Sequence, residues 1–238
     1  MTKYLLSLLI VSIVYLVYHY NIRPAYLIKR YGEDEKALKP KFEGLSWYML
    51  MLLISSSTLL FVKTFLYEFA TVPSQSMMPS FTVGQRVLID KNEFGFRNPL
   101  NNLSLTDHRT PKRGEPIITQ FPLNPQIMFI KRIVGLPGDV ITLNKEYLQV
   151  NDIKYPFNKV DSIVLKVDKD MVKHDQYQVR IGDFSWNYIV ETKKEFPTIS
   201  QQRVPENGYY LLGDNLTGSS DSRSFGSIPS GYFIGSIK

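Results

Sequence analysis

The stretch Val72-Pro73-Ser74-Gln75-Ser76-Met77-Met78-Pro79-Ser80 sets two hydroxyls two residues apart, between prolines that disfavour helix, so both are displayed from a stiffened loop. A serine hydroxyl becomes a nucleophile only beside a group that takes its proton. Cysteine is absent, which removes thiolate chemistry, disulfides and cysteine-held metal, and no metal or other cofactor is implied. Of the three histidines, His19 ends an apolar run while His108 and His174 lie in polar stretches; all three read as exposed loop residues, and no Ser-His-Asp arrangement forms. Lysine remains. Over residues 127–134, Ile-Met-Phe-Ile-Lys-Arg-Ile-Val, period-two alternation puts Lys131 on one face with Ile127, Phe129 and Ile133. Burial disfavours an ammonium, so a lysine there falls well below its ordinary value of about 10.4 and can accept a proton near neutrality. The residues alone leave two readings open: the serine string also fits a linker, and Lys131 also fits an edge-strand lysine pointing to solvent.

Two further strings concentrate polar groups. Gly135-Leu136-Pro137-Gly138-Asp139 predicts a type II turn with a structural role. Gly213-Asp214-Asn215, followed by Ser219-Ser220-Asp221-Ser222-Arg223, reads by itself as a solvated loop whose Asp-Arg pair contributes little.

The elements that must position these groups begin with two apolar runs. Residues 4–20 approach the roughly 20 needed to span a bilayer, with Tyr15, Tyr18 and Tyr20 as an interfacial belt. No small-x-small cleavage site precedes Arg23, so the run reads as a retained anchor. Residues 47–62 form a second run closed by Lys63, and Ser55, Ser56, Ser57 and Thr58 suit helix-on-helix packing. The intervening segment carries Arg23, Lys29, Arg30, Lys36, Lys39 and Lys41 against Lys3 ahead of the first run, which predicts a cytoplasmic loop and a body on the far side of the membrane. The net charge of +6 accompanies no nucleic-acid-binding motif, so membrane lipid is the expected partner and nucleic acid is not.

Beyond Lys63 the chain breaks into short apolar stretches separated by Gly, Pro, Asn and Asp, and 13% aromatic residues favour strands. Strands are predicted at 84–90, 116–121, 128–134 and 147–150, the last turning at Asn151-Asp152. The fold class is mainly β: an antiparallel β-sheet catalytic domain behind two N-terminal transmembrane helices. The predicted organisation is a first span at 1–20, a basic loop at 21–46, a second span at 47–63, a β core at 64–151, a variable smaller β lobe at 152–206, and the rest of the core at 207–238.

Taken in order, these boxes resemble the bacterial type I signal peptidases. Ser74-Gln75-Ser76-Met77-Met78-Pro79 is similar to the family's nucleophile box, Arg113-Gly114-Glu115 resembles its Arg-Gly-Asp, Lys131-Arg132-x-x-Gly135-Leu136-Pro137-Gly138-Asp139 its lysine box, and Gly213-Asp214-Asn215 with Ser219, Asp221, Ser222 and Arg223 the final one. The resemblance implies a membrane serine endopeptidase of the bacterial inner membrane that removes signal peptides from exported preproteins after Ala-x-Ala sites. Its catalytic domain would be periplasmic and the Sec translocation machinery a candidate partner. It implies Ser76 as nucleophile, Lys131 as general base, and the Ser74 hydroxyl with the Ser76 N–H as oxyanion hole. Ser219 would orient the lysine, Asp221 and Arg223 would brace the site, and Val72, Met77, Phe81 and Ile130 would line shallow substrate pockets. Fourteen positions separate Val62 from Ser76, a reach of roughly 45–50 Å at full extension. The departures from the family pattern are Leu216-Thr217-Gly218 in place of a more polar string, Glu115 for Asp, and Pro116, which predicts an edge or strand-start position. The chain also stops at Lys238, where many relatives continue for another strand, leaving the form of the last strand open. The rivals are a peptidase dedicated to one pilin, a self-cleaving repressor, which the two spans disfavour, and a non-catalytic membrane-anchored scaffold of an export complex.

Overall fold

An apolar helix with no polar stripe has no face to turn toward water, and two such helices dominate the described part of the first unit, with a short amphipathic helix after the first. The computed structural model describes residues 2–31, 44–95, 106, 109–122, 124–167 and 170–238. One helical stretch comprises α1 (Thr2–Val17), a π-helical turn (Tyr18–Ile22) and α2 (Arg23–Tyr31); the other comprises α3 (Gly44–Phe61) and a second π-helical turn (Val62–Leu66). Tyr4–Tyr26 and Gly44–Leu66 are each long and apolar enough to cross a membrane, with mean hydropathy 1.8. Both exceed the expected bounds: Arg23, Lys29 and Arg30 lie on α2 rather than in a loop. Residues 32–43, with Lys36, Lys39 and Lys41, lie outside the described residues, as does His108.

Where α1 and α3 pack on each other the buried groups are mostly small, Ser12, Ser46 and Ser56, with Leu5. Large side chains such as Ile10, Val14, Met51 and Ile54 face outward. That inverted arrangement suits lipid, where small residues let helices approach and apolar ones need no shelter. Of the predicted packing cluster, Ser56 is buried, while Ser55 and Thr58 hydrogen-bond carbonyls of their own helix.

The second unit, Tyr67–Lys238, is all but entirely β. Its main sheet has six antiparallel strands in the order β1 (Tyr67–Thr71), β2 (Arg86–Asp90), β13 (Phe233–Ile237), β3 (Pro116–Phe121), β4 (Asn124–Gly135) and β12 (Tyr210–Leu212). The last strand of the chain therefore sits in the middle of the sheet, between β2 and β3. Pro116 opens β3, a position that needs no N–H in the ladder. A four-stranded sheet follows the order β11 (Ile199–Arg203), β5 (Val140–Leu143), β6 (Tyr147–Val150) and β7 (Ile153–Pro156). A three-stranded sheet holds β10 (Phe184–Glu191), β9 (Asp170–Ile181) and β8 (Asn158–Val167).

Turn chemistry sets these registers. Asn151, at φ 55, and Asp152 close the two-residue hairpin between β6 and β7. Gly138, at φ 81, follows Pro137 in the turn closed by the Asp139 N–H on the Leu136 carbonyl, and the Asp139 carboxylate also accepts from the Leu136 N–H and from Arg113. The border drawn at residue 152 falls inside this hairpin, so β5 and β6 share a sheet with the strands of the lobe. A core of Val134, Ile141, Leu143, Tyr188, Val190 and Leu212 joins these sheets to the end of β4. A second core, including Ile117, Ile133, Leu211 and Phe233, lies on the main sheet.

Candidate active site

The chain leaves β1 through Val72, whose N–H and carbonyl pair with Gln85 and Gly84, and this pins the start of the serine loop beside β2. Ser74 is extended, and Gln75–Met77 form one 3₁₀ turn that buries Ser76 and Met77. Lys131 arrives from the middle of β4, paired with Ile117 of β3. The two elements meet: Lys131 Nζ donates to Ser76 Oγ at 2.8 Å. Ser74 Oγ lies 3.2 Å from Ser76 Oγ. Ser76 is only 9% exposed and Lys131 2%.

Burial pushes the Lys131 amine down to about 8, partly opposed by the negative charges of Asp221 and Asp214 and reinforced by Arg223. The amine lies 5.4 Å from the centre of the Phe129 ring. A lysine in these surroundings is about half neutral at pH 8, and its neutral nitrogen, at hydrogen-bonding distance from a hydroxyl, can accept that hydroxyl's proton. The Ser76 N–H falls in the first turn of the 3₁₀ segment, where backbone donors have no partner within the helix.

Around this pair lies a buried charge framework. Arg132 donates through Nε and Nη2 to the two carboxylate oxygens of Asp214 at 2.8 and 2.6 Å, through Nη1 to the Gly114 carbonyl at 2.8 Å, and stacks over Trp186 at 4.7 Å. Asp221 accepts from both Nε and Nη2 of Arg223, from the Gly213 N–H at 3.0 Å, and caps the short helix α4 (Ser222–Phe225). Asp221 is fully buried, so this pair is not the solvated surface pair that its turn-rich sequence suggests. The Asn215 N–H donates to the Ser76 carbonyl at 3.0 Å, tying the last box to the serine loop. A Cβ on Gly213 would stand 2.5 Å from that same carbonyl, which is why glycine occupies the position.

Ser219 sits against Gly213, with its Oγ buried and without a hydrogen-bond partner; its expected contact with Lys131 is not formed. Val72, Met77 and Ile130 line a cavity of about 160 Å³ that also reaches Ser74, Ser76 and residues 127–129. Phe81 packs against their cluster from outside that lining. His174 is buried on β9, its Nδ1 3.0 Å from the Val172 carbonyl, rather than exposed in a loop. His19 lies in the first helical stretch, stacked on Tyr15. Among the described residues no group of three or more His, Asp or Glu side chains comes together that could hold a metal ion.

Sequence reasoning assigned no role to Arg132, Asp214, Asn215 or Trp186. The first three stand inside the quoted boxes, so the boxes were the available signal; Trp186, from β10, carries none.

Residues 45–238 match the family model described as signal peptidase, peptidase S26. Signal peptidase I of Buchnera aphidicola subsp. Baizongia pistaciae is 30% identical over 217 residues, covering 74% of this chain and 70% of that protein. Signal peptidase I of Rickettsia typhi is 26% identical over 222 residues, covering 85% of this chain and 80% of its own. A crystal structure of a signal peptidase I from Enterococcus faecalis aligns with a TM-score of 0.33 at 22% identity, over 55% of this chain and 98% of that one.

Proposed function

The chain belongs to the signal peptidase family, peptidase S26, membrane-anchored serine peptidases that remove signal peptides, and from that premise we propose that Ser76 is its nucleophile and Lys131 its general base. One observation carries the reading: the 2.8 Å contact between Lys131 Nζ and Ser76 Oγ, in surroundings that lower the lysine to about 8.

The neutral amine takes the Ser76 proton as Oγ attacks the scissile carbonyl carbon. The resulting oxyanion is met by the Ser76 N–H and the Ser74 hydroxyl, a type of contact whose loss typically costs about 100- to 1,000-fold in rate. As the tetrahedral species collapses, the C–N bond breaks, and the Lys131 ammonium returns its proton to the leaving amine. Water then attacks the Ser76 ester, giving its proton to Lys131, and Ser76 departs with that proton restored. Asp214 and Asp221 raise the lysine's proton affinity while burial lowers it, and this balance keeps the base usable near neutral pH.

The apolar cavity beside Ser76, about 160 Å³, is small against the ~300–1,000 Å³ of ordinary ligand pockets and suits cleavage after small-x-small sequences. The excess of Lys and Arg between the apolar helices supports a cytoplasmic loop and a catalytic body on the periplasmic side of a bacterial inner membrane, where Sec-exported preproteins emerge. Purified full-length protein in detergent is expected to cut a preprotein after its Ala-x-Ala site, and Ser76→Ala and Lys131→Met each to abolish turnover with the fold retained. Full activity in either variant would refute the assignment.

A further inference from the structure

The residue between the two serines makes a contact that the proposed chemistry does not use. Gln75 donates through Nε2 to the Lys166 carbonyl at 2.6 Å, a partner 91 residues away at the end of β8. The next residue is held from another direction, since the Ser76 carbonyl accepts from the Asn215 N–H at 3.0 Å. Asn215 is itself fixed to β10: the Ile189 N–H donates to Asp214, and the Leu216 N–H donates to Ile189, at 2.8 and 2.9 Å. Because the sheet order is β10-β9-β8, the two grips come from its two opposite edges. Edge strands carry carbonyls and N–H groups that no ladder consumes, and here both edges spend them on the serine loop or on the segment beside it.

We propose that the three-stranded sheet positions the nucleophile, and that Gln75 is the positioning residue through which the β8–β9 hairpin acts on Ser76. The inference rests on the assignment of Ser76 above. The loop between Pro73 and Pro79 contains a single 3₁₀ turn, so the direction of Ser76 Oγ depends on what holds that turn from outside. Lys131 is fixed separately, on β4. Releasing the Gln75 end would leave the base in place and let the hydroxyl drift from it, and a displacement of about 1 Å from productive geometry can cost around 100-fold in rate. Gln75 is half-exposed and lines no part of the cleft that the sequence flanking a scissile bond would occupy, so substrate affinity is a separate matter.

The test uses full-length protein in detergent and a preprotein substrate. Gln75→Met keeps the length of the side chain and removes its donor; it is expected to lower kcat about 10- to 100-fold while KM stays within about twofold and the melting temperature is unchanged. Gln75→Arg, which still reaches the carbonyl with an N–H, is expected to recover most of the loss. Replacing residues 164–173 with Asn-Gly closes the hairpin at the Ile163–His174 pair and removes Lys166. In that background Gln75→Met should change nothing further, because the two substitutions break one contact. Wild-type kcat in Gln75→Met, or a raised KM with kcat intact, would overturn the inference alone. A wild-type protein that fails to cleave, or a Ser76→Ala variant that cleaves, would overturn the assignment beneath it as well.

Discussion

Replacing Lys131 with Met should make the protein more stable at neutral and acidic pH while removing its activity. The ordinary lysine value is 10.5 and burial brings Lys131 to about 8. Above 10.5 the side chain is neutral in both folded and unfolded chains and burial carries no charge penalty. Between 10.5 and 8 the unfolded chain binds a proton that the folded one refuses, so stability falls as pH falls. Below 8 the folded protein bears the full penalty, the difference of roughly 2.5 pH units at about 1.36 kcal/mol each, or about 3 kcal/mol. Methionine has similar length and cannot charge. Against this gain stands the lost hydrogen bond to Ser76, about 1 kcal/mol, so the net stabilisation expected at pH 6 is about 2 kcal/mol and vanishes or reverses at pH 10.5. Urea unfolding of both proteins in detergent, followed through the fluorescence of buried Trp186, reads this directly. A variant that is less stable than wild type by the same margin at pH 6 and pH 10 would show that Lys131 is charged and content in the fold, and the reasoning would fail.

Asp214→Asn leaves the buried Arg132 guanidinium without its counter-charge and is expected to cost about 3–5 kcal/mol in the same unfolding measurement. Gly213→Ala brings a Cβ against the Ser76 carbonyl and the Ser219 side chain, so kcat should drop about 100-fold in a cleavage assay and stability should fall by about 1–3 kcal/mol in the unfolding measurement.

Much of the site was legible as strings and little of it as geometry. Alternation places Lys131 on an apolar face but leaves open whether that face meets solvent, and the structure buries it. The same alternation sets Arg132 on the opposite face, with Met128, Ile130 and Val134, and does not say why a guanidinium should be buried there. The reason is that the three-stranded sheet covers the other side of β4 and supplies Trp186 to the guanidinium, so from Ile130 to Val134 every residue is buried and the period disappears. Further along the strand, Ile127 and Met128 are exposed, because there the strand borders the cleft rather than the core. Strand positions marked by turn residues, such as β6 and β7 around Asn151, were readable because the turn itself dictates register. The insertion of β13 between β2 and β3 was not, since nothing local in Phe233–Ile237 names its distant partners. His174 shows the same limit: a polar neighbourhood in sequence became a buried position when β9 was sandwiched between β8 and β10.

The central claim is that a neutral Lys131 takes the Ser76 proton, and the pH dependence of kcat/KM tests it most directly. Measured on a preprotein peptide between pH 6 and pH 10, the rate should rise along one limb centred near 8, the value set by burial, and stand at about 1% of its plateau at pH 6. A limb centred near 10.4, or a rate that does not change across this range, would contradict it.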